Sequence, residues 1–559
     1  MHDGPLSTQH SALSTRLGLV VEGSLTKGLT ARLDGSCSVE DVRVGRFVKI
    51  RGEHFDFFCL ITDVALGASS DQVLADPPDP ADSFLQDVLL GTATFGSVVV
   101  QPMLMLNKQP ADQVAPDEMG RPLPVRTIPV HFAPMDAATK DDFDRVFAPE
   151  GEGSWEIGTP LDMDIPVRLD LERVAERSNG VFGKSGSGKS MLTRVLLSGL
   201  IRSGAAVNLI FDMHSEYAWP TRDAGSGLML RSLKDLFGNA RVAVYTLRST
   251  RPRPTGHRTD GDIRIGLNEI DIDDIALLSE LLNLNETAIE TIYLLQSRFG
   301  DTWLRDLLEM TPSDIKAFCD EVNAHPGAVG ALNRKLNQLR QLEFVTDEHV
   351  SRASSSLELI VNSLERGSNV VLAFEHESQL LPYMLVANVL TRRIHARWTA
   401  RMQAAHADEA DRPPLLVITV EEAHKFLSPS AARHTSFGTI ARELRKFNVT
   451  LLIVDQRPSG IDPEVLSQIG TRLTCQLNDE NDIAAILAGI SGASHLRSVL
   501  ASLDSQQQAM LLGHAVPMPV VIKVRTIDAA FYADVMAGSR GPDFPDGKRA
   551  RDFASLPDD

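Results

Sequence analysis

An α/β fold organised around a parallel sheet is predicted for most of this 559-residue chain, and three observations predict it. Residues 183–190 read Gly-Lys-Ser-Gly-Ser-Gly-Lys-Ser, the G-x-x-x-x-G-K-S spacing of a phosphate-binding loop. A short strand, residues 180–182, enters this loop, and the apolar stretch 191–197 leaves it as a helix. From residue 180 onward, short apolar runs alternate with helical patterns, as in a parallel sheet buried on both faces.

Composition sets the outer bounds. With 43% apolar and 23% charged residues the chain reads as an ordinary soluble globular protein of about two to four domains. The longest apolar runs, 415–420 and 449–454, are strand-sized and far short of the roughly 18 residues of a membrane span. The start of the chain shows no charged-then-apolar leader, so a cytoplasmic protein without membrane insertion is expected. Cys37, Cys59, Cys319 and Cys475 are scattered without metal-ligand spacing, as reduced core thiols would be. Net charge is −19, from 55 basic and 74 acidic residues. That argues against coating nucleic acid with the whole surface and leaves open a local basic lining, because a few phosphate contacts carry the electrostatic attraction.

Taken in order, residues 1–16 are polar and are expected to be disordered. Between 17 and 132 the pattern is β-like: 17–21, 42–50, 57–61 and 96–100 are apolar runs separated by Gly, Asp and Ser turns. The Pro/Asp-rich stretches 75–82 and 109–124 read as long loops. So many short strands in one small domain fit a small barrel better than a sandwich. Residues 133–178 read as a connector. The domain 179–537 follows, with strands expected at 181, 207–211, 242–245, 370–374, 415–420, 449–454 and 473–477, and a further edge strand at 520–524. Within it the strands disappear from about 268 to 366. There Ile272, Ile275, Leu278, Leu281 and Leu282, and later Leu332, Leu336, Leu339 and Leu342, recur at helical spacing. This helical insertion is either a lid or subunit-contact module, or plain packing. Residues 538–559, rich in Gly, Pro, Asp and Lys, read as a flexible tail.

The loop's residue types match the needs of a bound nucleoside triphosphate. Gly183, Gly186 and Gly188 let the backbone wrap and aim N–H groups at phosphate oxygens, with Ser187 and Met191 completing the loop and the first helical turn. Lys189 is placed for the β- and γ-phosphates and Ser190 for Mg²⁺, at a helix N-terminus that favours anions. ATP and Mg²⁺ are therefore the expected cofactors. The run 415–420 ends in Glu421-Glu422-Ala423-His424. Glu421 is placed to act on Mg²⁺ directly or through water, and Glu422 to polarise the attacking water, at the strand end where open α/β sheets bind ligands. Gln456 follows the next strand and could contact the γ-phosphate or that water. A catalytic Glu after the metal acid, then a polar strand-end residue, marks the additional-strand class of P-loop ATPases with a RecA-like core. Before that strand, 435–447 forms a helix whose buried face is Phe437, Ile440, Ala441 and Leu444. Arg442 and Arg445 flank that face, either as surface charges or as arginine fingers for a neighbouring subunit, with Arg445 the stronger candidate. Asp212 and Glu216 follow another core strand and either orient water or Mg²⁺ from behind the direct ligands or cap a turn. His214 and His424 have no metal-site partners at sensible spacing and read as structural.

Together, residues 183–190, 212–217, 421–424, 442–447 and 456–459 resemble the HerA family of hexameric ATPases, within the HerA/FtsK group of ring translocases. The resemblance covers about 180–477, interrupted by the helical insertion, and the β-rich N-terminal region resembles the small barrel that precedes the ATPase in HerA. It implies a homohexameric ring that pumps double-stranded DNA through its pore. It also implies a partner, either a NurA-like nuclease in DNA-end processing or an antiviral effector. The competing readings are an ATP-gated scaffold ring that organises such an effector, and a conjugation- or secretion-type ATPase.

Overall fold

The computed structural model describes residues 16–538, apart from 76–77, 80, 82, 90–91, 110–120, 148–152, 223–226, 248–257, 375–379, 409–410, 433–435, 491 and 505–506. The two terminal stretches expected to be disordered or flexible lie almost wholly outside these residues, as does most of the loop 109–124.

The N-terminal region is a closed six-stranded antiparallel barrel. Its staves are β1 (Arg16–Ser24), β2 (Gly28–Leu33), β3 (Phe47–Arg51), β4 (Phe55–Ala68), β5 (Thr94–Asn107) and β6 (Pro134–Ala137), running β2-β1-β6-β3-β4-β5 and closing through β2–β5. The period-2 rule explains its lining: Leu29, Ala31 and Leu33, Val48 and Ile50, and Phe57, Cys59 and Ile61 alternate inward and bury together. Phe47 and Phe58 point to the opposite face. They stack at 5.6 Å, and Phe47 meets Phe143 and Phe147 of α1 (Lys140–Phe147) edge-on at 5.8 Å, which joins the barrel to the core of the second region.

That region is built on one twelve-stranded sheet. Its strands are β7 (Ser154–Pro160), β8 (Val167–Asp170), β9 (Asn179–Phe182), β10 (Val207–Asp212), β11 (Val242–Leu247), β12 (Gly261–Ile263), β13 (Asn369–Ala373), β14 (Leu416–Glu421), β15 (Val449–Asp455), β16 (Thr471–Cys475), β17 (Gln508–Gly513) and β18 (Val520–Val524). The order is β12-β11-β13-β10-β14-β15-β9-β16-β17-β18-β7-β8. From β12 to β16 neighbouring strands are parallel, and the remaining pairings are antiparallel. β15 lies between the phosphate-loop strand β9 and the acid-bearing strand β14, the additional strand anticipated from Glu422 and Gln456. The buried strands are apolar along their length because helices cover both faces; β10, β13, β14 and β15 have no exposed residue.

Three expectations need amendment. Residues 133–178 are not a simple connector: they supply the sixth barrel stave, α1 and the hairpin β7–β8 that extends the large sheet. Because that hairpin pairs onto β18, residues 520–524 form an inner strand and β8 is the edge. The strand expected at 473–477 runs from Thr471 to Cys475, its two threonines buried among apolar neighbours.

The insertion is helical, with α2 (Lys189–Ser203) preceding it and α3 (Ile272–Leu277), α4 (Glu286–Phe299), α5 (Trp303–Glu309), α6 (Pro312–Val322), α7 (Pro326–Leu336) and α8 (Ser356–Glu365) within it. A two-residue strand, Val345–Thr346, pairs with Ile265–Gly266 at its base. It is tied to the following helix, α9 (Leu380–Ala404), by a ladder of ion pairs. Arg392 meets Asp274 at 2.6 Å, Arg393 meets Glu269 at 2.9 Å, and Arg397 meets Glu358 at 2.7 Å and Glu365 at 2.9 Å.

Candidate active site

The C-terminal ends of β9, β14 and β15 converge on one locus. β9 runs into the loop 183–188, which is held from below: Gly183 N–H donates to the Asp455 carbonyl (3.2 Å) and Lys184 N–H to the Gln476 carbonyl (2.9 Å). Gly183, at φ 153°, has Ser187 Oγ and Cys475 Cβ closer than 3 Å to where a Cβ would stand, so a side chain has no room there. Gly188, at φ 93°, begins α2 without a side-chain cap, which leaves the first N–H groups of that helix facing the loop. Ser187 is buried and turns its hydroxyl inward to the Lys184 carbonyl (2.8 Å). Met191 is buried in the core beneath the loop. Lys189 Nζ also donates to the Lys184 carbonyl (3.0 Å), so the ammonium lies folded across the loop. Burial lowers the Lys189 pKa from its ordinary value, and the nearby Cys475, Glu422, Glu216 and Asp455 oppose that shift.

β14 delivers the acids. Glu421 is buried; its Oε2 accepts N–H donors from Met213 (2.9 Å) and His214 (3.3 Å), and its carbonyl accepts the Tyr383 hydroxyl of α9 (3.0 Å). Burial, then the neighbouring Asp212 and Glu216, raise its carboxyl well above the usual range. Glu422 is half-buried and sits at φ 49°, a left-handed conformation unusual for a non-glycine residue. Its Oε1 accepts Gln456 Nε2 at 2.7 Å, so the strand-end Gln of β15 holds the strand-end Glu of β14.

Asp212 has a different use. Its Oδ1 accepts Glu216 N–H (2.7 Å) and its Oδ2 accepts Tyr217 N–H (3.0 Å) and Ala218 N–H (2.8 Å). Both oxygens thus cap the turn after β10, the alternative of the two readings that needs no ligand. Burial pushes Asp212 up to about 6 although the three amides pull the other way. Glu216 lies near enough to Lys189 and Glu421 to influence both. Arg442 lies in the last turn of α10 (Ser436–Glu443) and Arg445 in the following 3₁₀ turn, Leu444–Phe447; their side chains lie outside the described residues. Phe437 and Ile440 bury as the helical pattern required. Asp455, Cys475 and Tyr383 escaped the sequence reading. The signal for Asp455 was present, an acid closing an apolar strand, but it was masked by its neighbour Gln456.

This geometry fits a nucleoside triphosphate with magnesium. Three features fit it: an uncapped helix start, an ammonium whose hydrogen bond is to a loop carbonyl, and a buried carboxyl whose ionised form is disfavoured until a cation approaches. Among the described residues no group of three or more His, Cys, Asp or Glu side chains is placed to hold a metal ion.

Comparison with known proteins agrees. The family model described as the central domain of helicase HerA matches residues 155–394, and the HAS barrel domain matches residues 17–114. The chain is a HerA-like ATPase. The DNA double-strand break repair helicase HerA of Sulfolobus acidocaldarius is 25% identical to it over 403 residues, 71% of this chain and 73% of the relative. Its namesake in Pyrococcus furiosus is 22% identical over 413 residues, covering 67% and 70%. Among solved structures, the plasmid coupling protein TrwB with ADP and Mg²⁺ is 14% identical, covering 70% of the HerA-like chain and 93% of TrwB at a TM-score of 0.44. VirB4 of Thermoanaerobacter pseudethanolicus is 15% identical, covering 68% and 99% at 0.43. No described helix of the HerA-like chain is long and apolar enough to cross a membrane.

Proposed function

We propose that this HerA-like ATPase is a homohexameric ring motor that uses ATP hydrolysis to translocate double-stranded DNA. It works with a nuclease of the NurA kind or with an antiviral effector. The observation that carries the reading is the pairing of Glu422 with Gln456 at 2.7 Å, with Lys189 close enough to feel the Glu422 charge. In this scheme the amides of 183–190 and Lys189 hold the phosphates. Ser190, and Glu421 directly or through water, would hold magnesium, which would supply positive charge against the transferred phosphoryl group. Glu422 accepts the proton of the attacking water as the new P–O bond forms and the bond to the ADP oxygen breaks. Gln456 fixes that carboxylate and senses the γ-phosphate. Arg445, supported by Arg442, completes the site of the adjacent subunit.

The duplex is the substrate on which charge places the strictest demand. A chain of net charge −19 repels DNA unless basic residues are concentrated along a pore, and a ring multiplies each inward-facing Lys or Arg. Binding should therefore require the assembled ring, weaken steeply with salt, and depend little on base sequence. The test is duplex affinity and DNA-stimulated ATP hydrolysis across a salt series, with assembly checked independently. An ATP-loaded ring with no duplex affinity at low salt and no stimulation would overturn the motor reading.

A further inference from the structure

Two side chains beside Glu422, Asp455 and His424, are left without a role by the scheme above. Asp455 is buried at the end of β15 and acts as a hub. Its Oδ2 accepts the backbone N–H of His424 (2.7 Å) and lies 3.0 Å from His424 Nδ1; its Oδ1 accepts Arg457 N–H (2.7 Å); its carbonyl accepts Gly183 N–H (3.2 Å). One residue thus ties together the phosphate loop, the turn after Glu422 and the turn carrying Gln456. A carboxylate only accepts, so the imidazole proton that serves Asp455 sits on Nδ1. The same Nδ1 lies 3.7 Å from Glu422 Oε2, while Gln456 holds Oε1 at 2.7 Å. Glu422 itself sits in a left-handed backbone conformation that is unfavourable for a non-glycine residue and persists only when its surroundings impose it.

We infer that His424, oriented by Asp455, is a positioning residue that holds the Glu422 carboxylate in its working direction from the side opposite Gln456. This rests on Glu422 being the base for hydrolysis. The imidazole touches neither phosphate nor water in this role. It packs beside the carboxylate at 3.7 Å, without a hydrogen bond to it, and through its two N–H groups on Asp455 pins the strained turn that carries Glu422. A carboxylate gripped at one oxygen alone can swing, and misplacement by about 1 Å costs on the order of a hundredfold in rate. No local pattern marks this role, since a lone His after two acids has no partner at metal spacing.

The experiment uses the full-length chain with ring assembly verified, and measures kcat, KM and the affinity for a fluorescent non-hydrolysable ATP analogue. His424→Phe keeps the ring shape and removes the donor; His424→Asn keeps a donor close to the position of Nδ1. The expected result is a fall in kcat of about a hundredfold for His424→Phe, with analogue affinity within about threefold of wild type, and recovery of at least a tenth of wild-type kcat in His424→Asn. Adding His424→Phe to Glu422→Gln should bring no further loss, because both act through one carboxylate. If His424→Phe does not fold, His424→Gln, which displaces the donor by one bond, should show the same selective loss of kcat. Wild-type kcat in His424→Phe while Glu422→Gln is inactive would overturn this inference alone. Wild-type turnover in Glu422→Gln would overturn the catalytic reading beneath it. Equal and additive losses in nucleotide affinity would make His424 part of nucleotide binding and refute the positioning role.

Discussion

The ladder between the insertion and α9 gives the most quantitative expectation. Asp274 is fully buried and accepts four hydrogen bonds: from Arg392 Nη2 (2.6 Å) and Nε (3.2 Å), Asn388 Nδ2 (2.7 Å) and Asp271 N–H (2.9 Å). Asp274→Ala strips the partner from the Arg392 guanidinium and from the buried Asn388 amide at once. Breaking a buried pair from one side costs about 3–5 kcal/mol. Arg392 keeps 28% of its side chain exposed and retains the Glu269 carbonyl at 3.1 Å, so the lower end, about 3 kcal/mol, applies. For an ATPase region of this size, unfolding entropy near the midpoint is about 0.8 kcal/mol/K, and the expected drop in Tm is about 4 °C. Replacing both partners, Asp274→Leu with Arg392→Met, removes the orphaned charge and should recover more than half of that loss. Thermal melting of nucleotide-free protein reads the global shift, and hydrogen exchange over residues 272–365 reads whether the insertion loosens first. A drop under about 1 °C for the single variant, or a double variant worse than both singles together, would refute the argument that this ion pair anchors the insertion.

Three further outcomes are expected. Lys189→Ala should weaken nucleotide binding without lowering Tm of the nucleotide-free protein, since in that state the ammonium's hydrogen bond is to the loop's own Lys184 carbonyl; titration with a fluorescent nucleotide checks it. Asp212, pushed by burial from the ordinary carboxyl range up to about 6, binds its proton in the folded state at a higher pH than in the unfolded chain. Its contribution therefore favours folding below that window and is lost as pH rises from about 4 to 6, and Asp212→Asn should flatten the fall in Tm over that interval. Mixing Arg445→Ala subunits, which keep their phosphate loop, with Lys189→Ala subunits should restore some hydrolysis in verified mixed rings. Unrescued, additive loss there would count against a finger acting across the subunit boundary.

What could be read from residues alone divides along physical lines. The phosphate loop, the Glu421-Glu422 strand end and the buried parallel strands were legible because each is a local pattern: glycines at fixed spacing, acids closing an apolar run, runs with no polar alternation. The barrel was legible as a class, yet two of its staves were not. Gly28–Leu33 carries only Leu29, Ala31 and Leu33 on its inner face, and Pro134–Ala137 is four residues long and has meaning only as the closure between β1 and β3. The hairpin β7–β8 was hidden for the same reason, since its pairing partner β18 lies more than 350 residues away in the chain. At the site, tertiary pairing decided what sequence left open. Asp212 looked equally suited to water and to a turn until three amide donors converged on it. His424 looked like an isolated imidazole until β15 brought Asp455 against it.

The central claim, that hydrolysis at Glu422 drives movement along duplex DNA, is tested most directly by displacement of a third strand from a linear triplex. Assembled wild-type rings should displace it with ATP and fail with a non-hydrolysable analogue. Glu422→Gln rings, still binding both ATP and duplex, should displace at a rate lower by about a hundredfold or more. Wild-type rings that hydrolyse ATP on duplex DNA yet leave the third strand in place, or Glu422→Gln rings that displace it at the wild-type rate, would contradict the account.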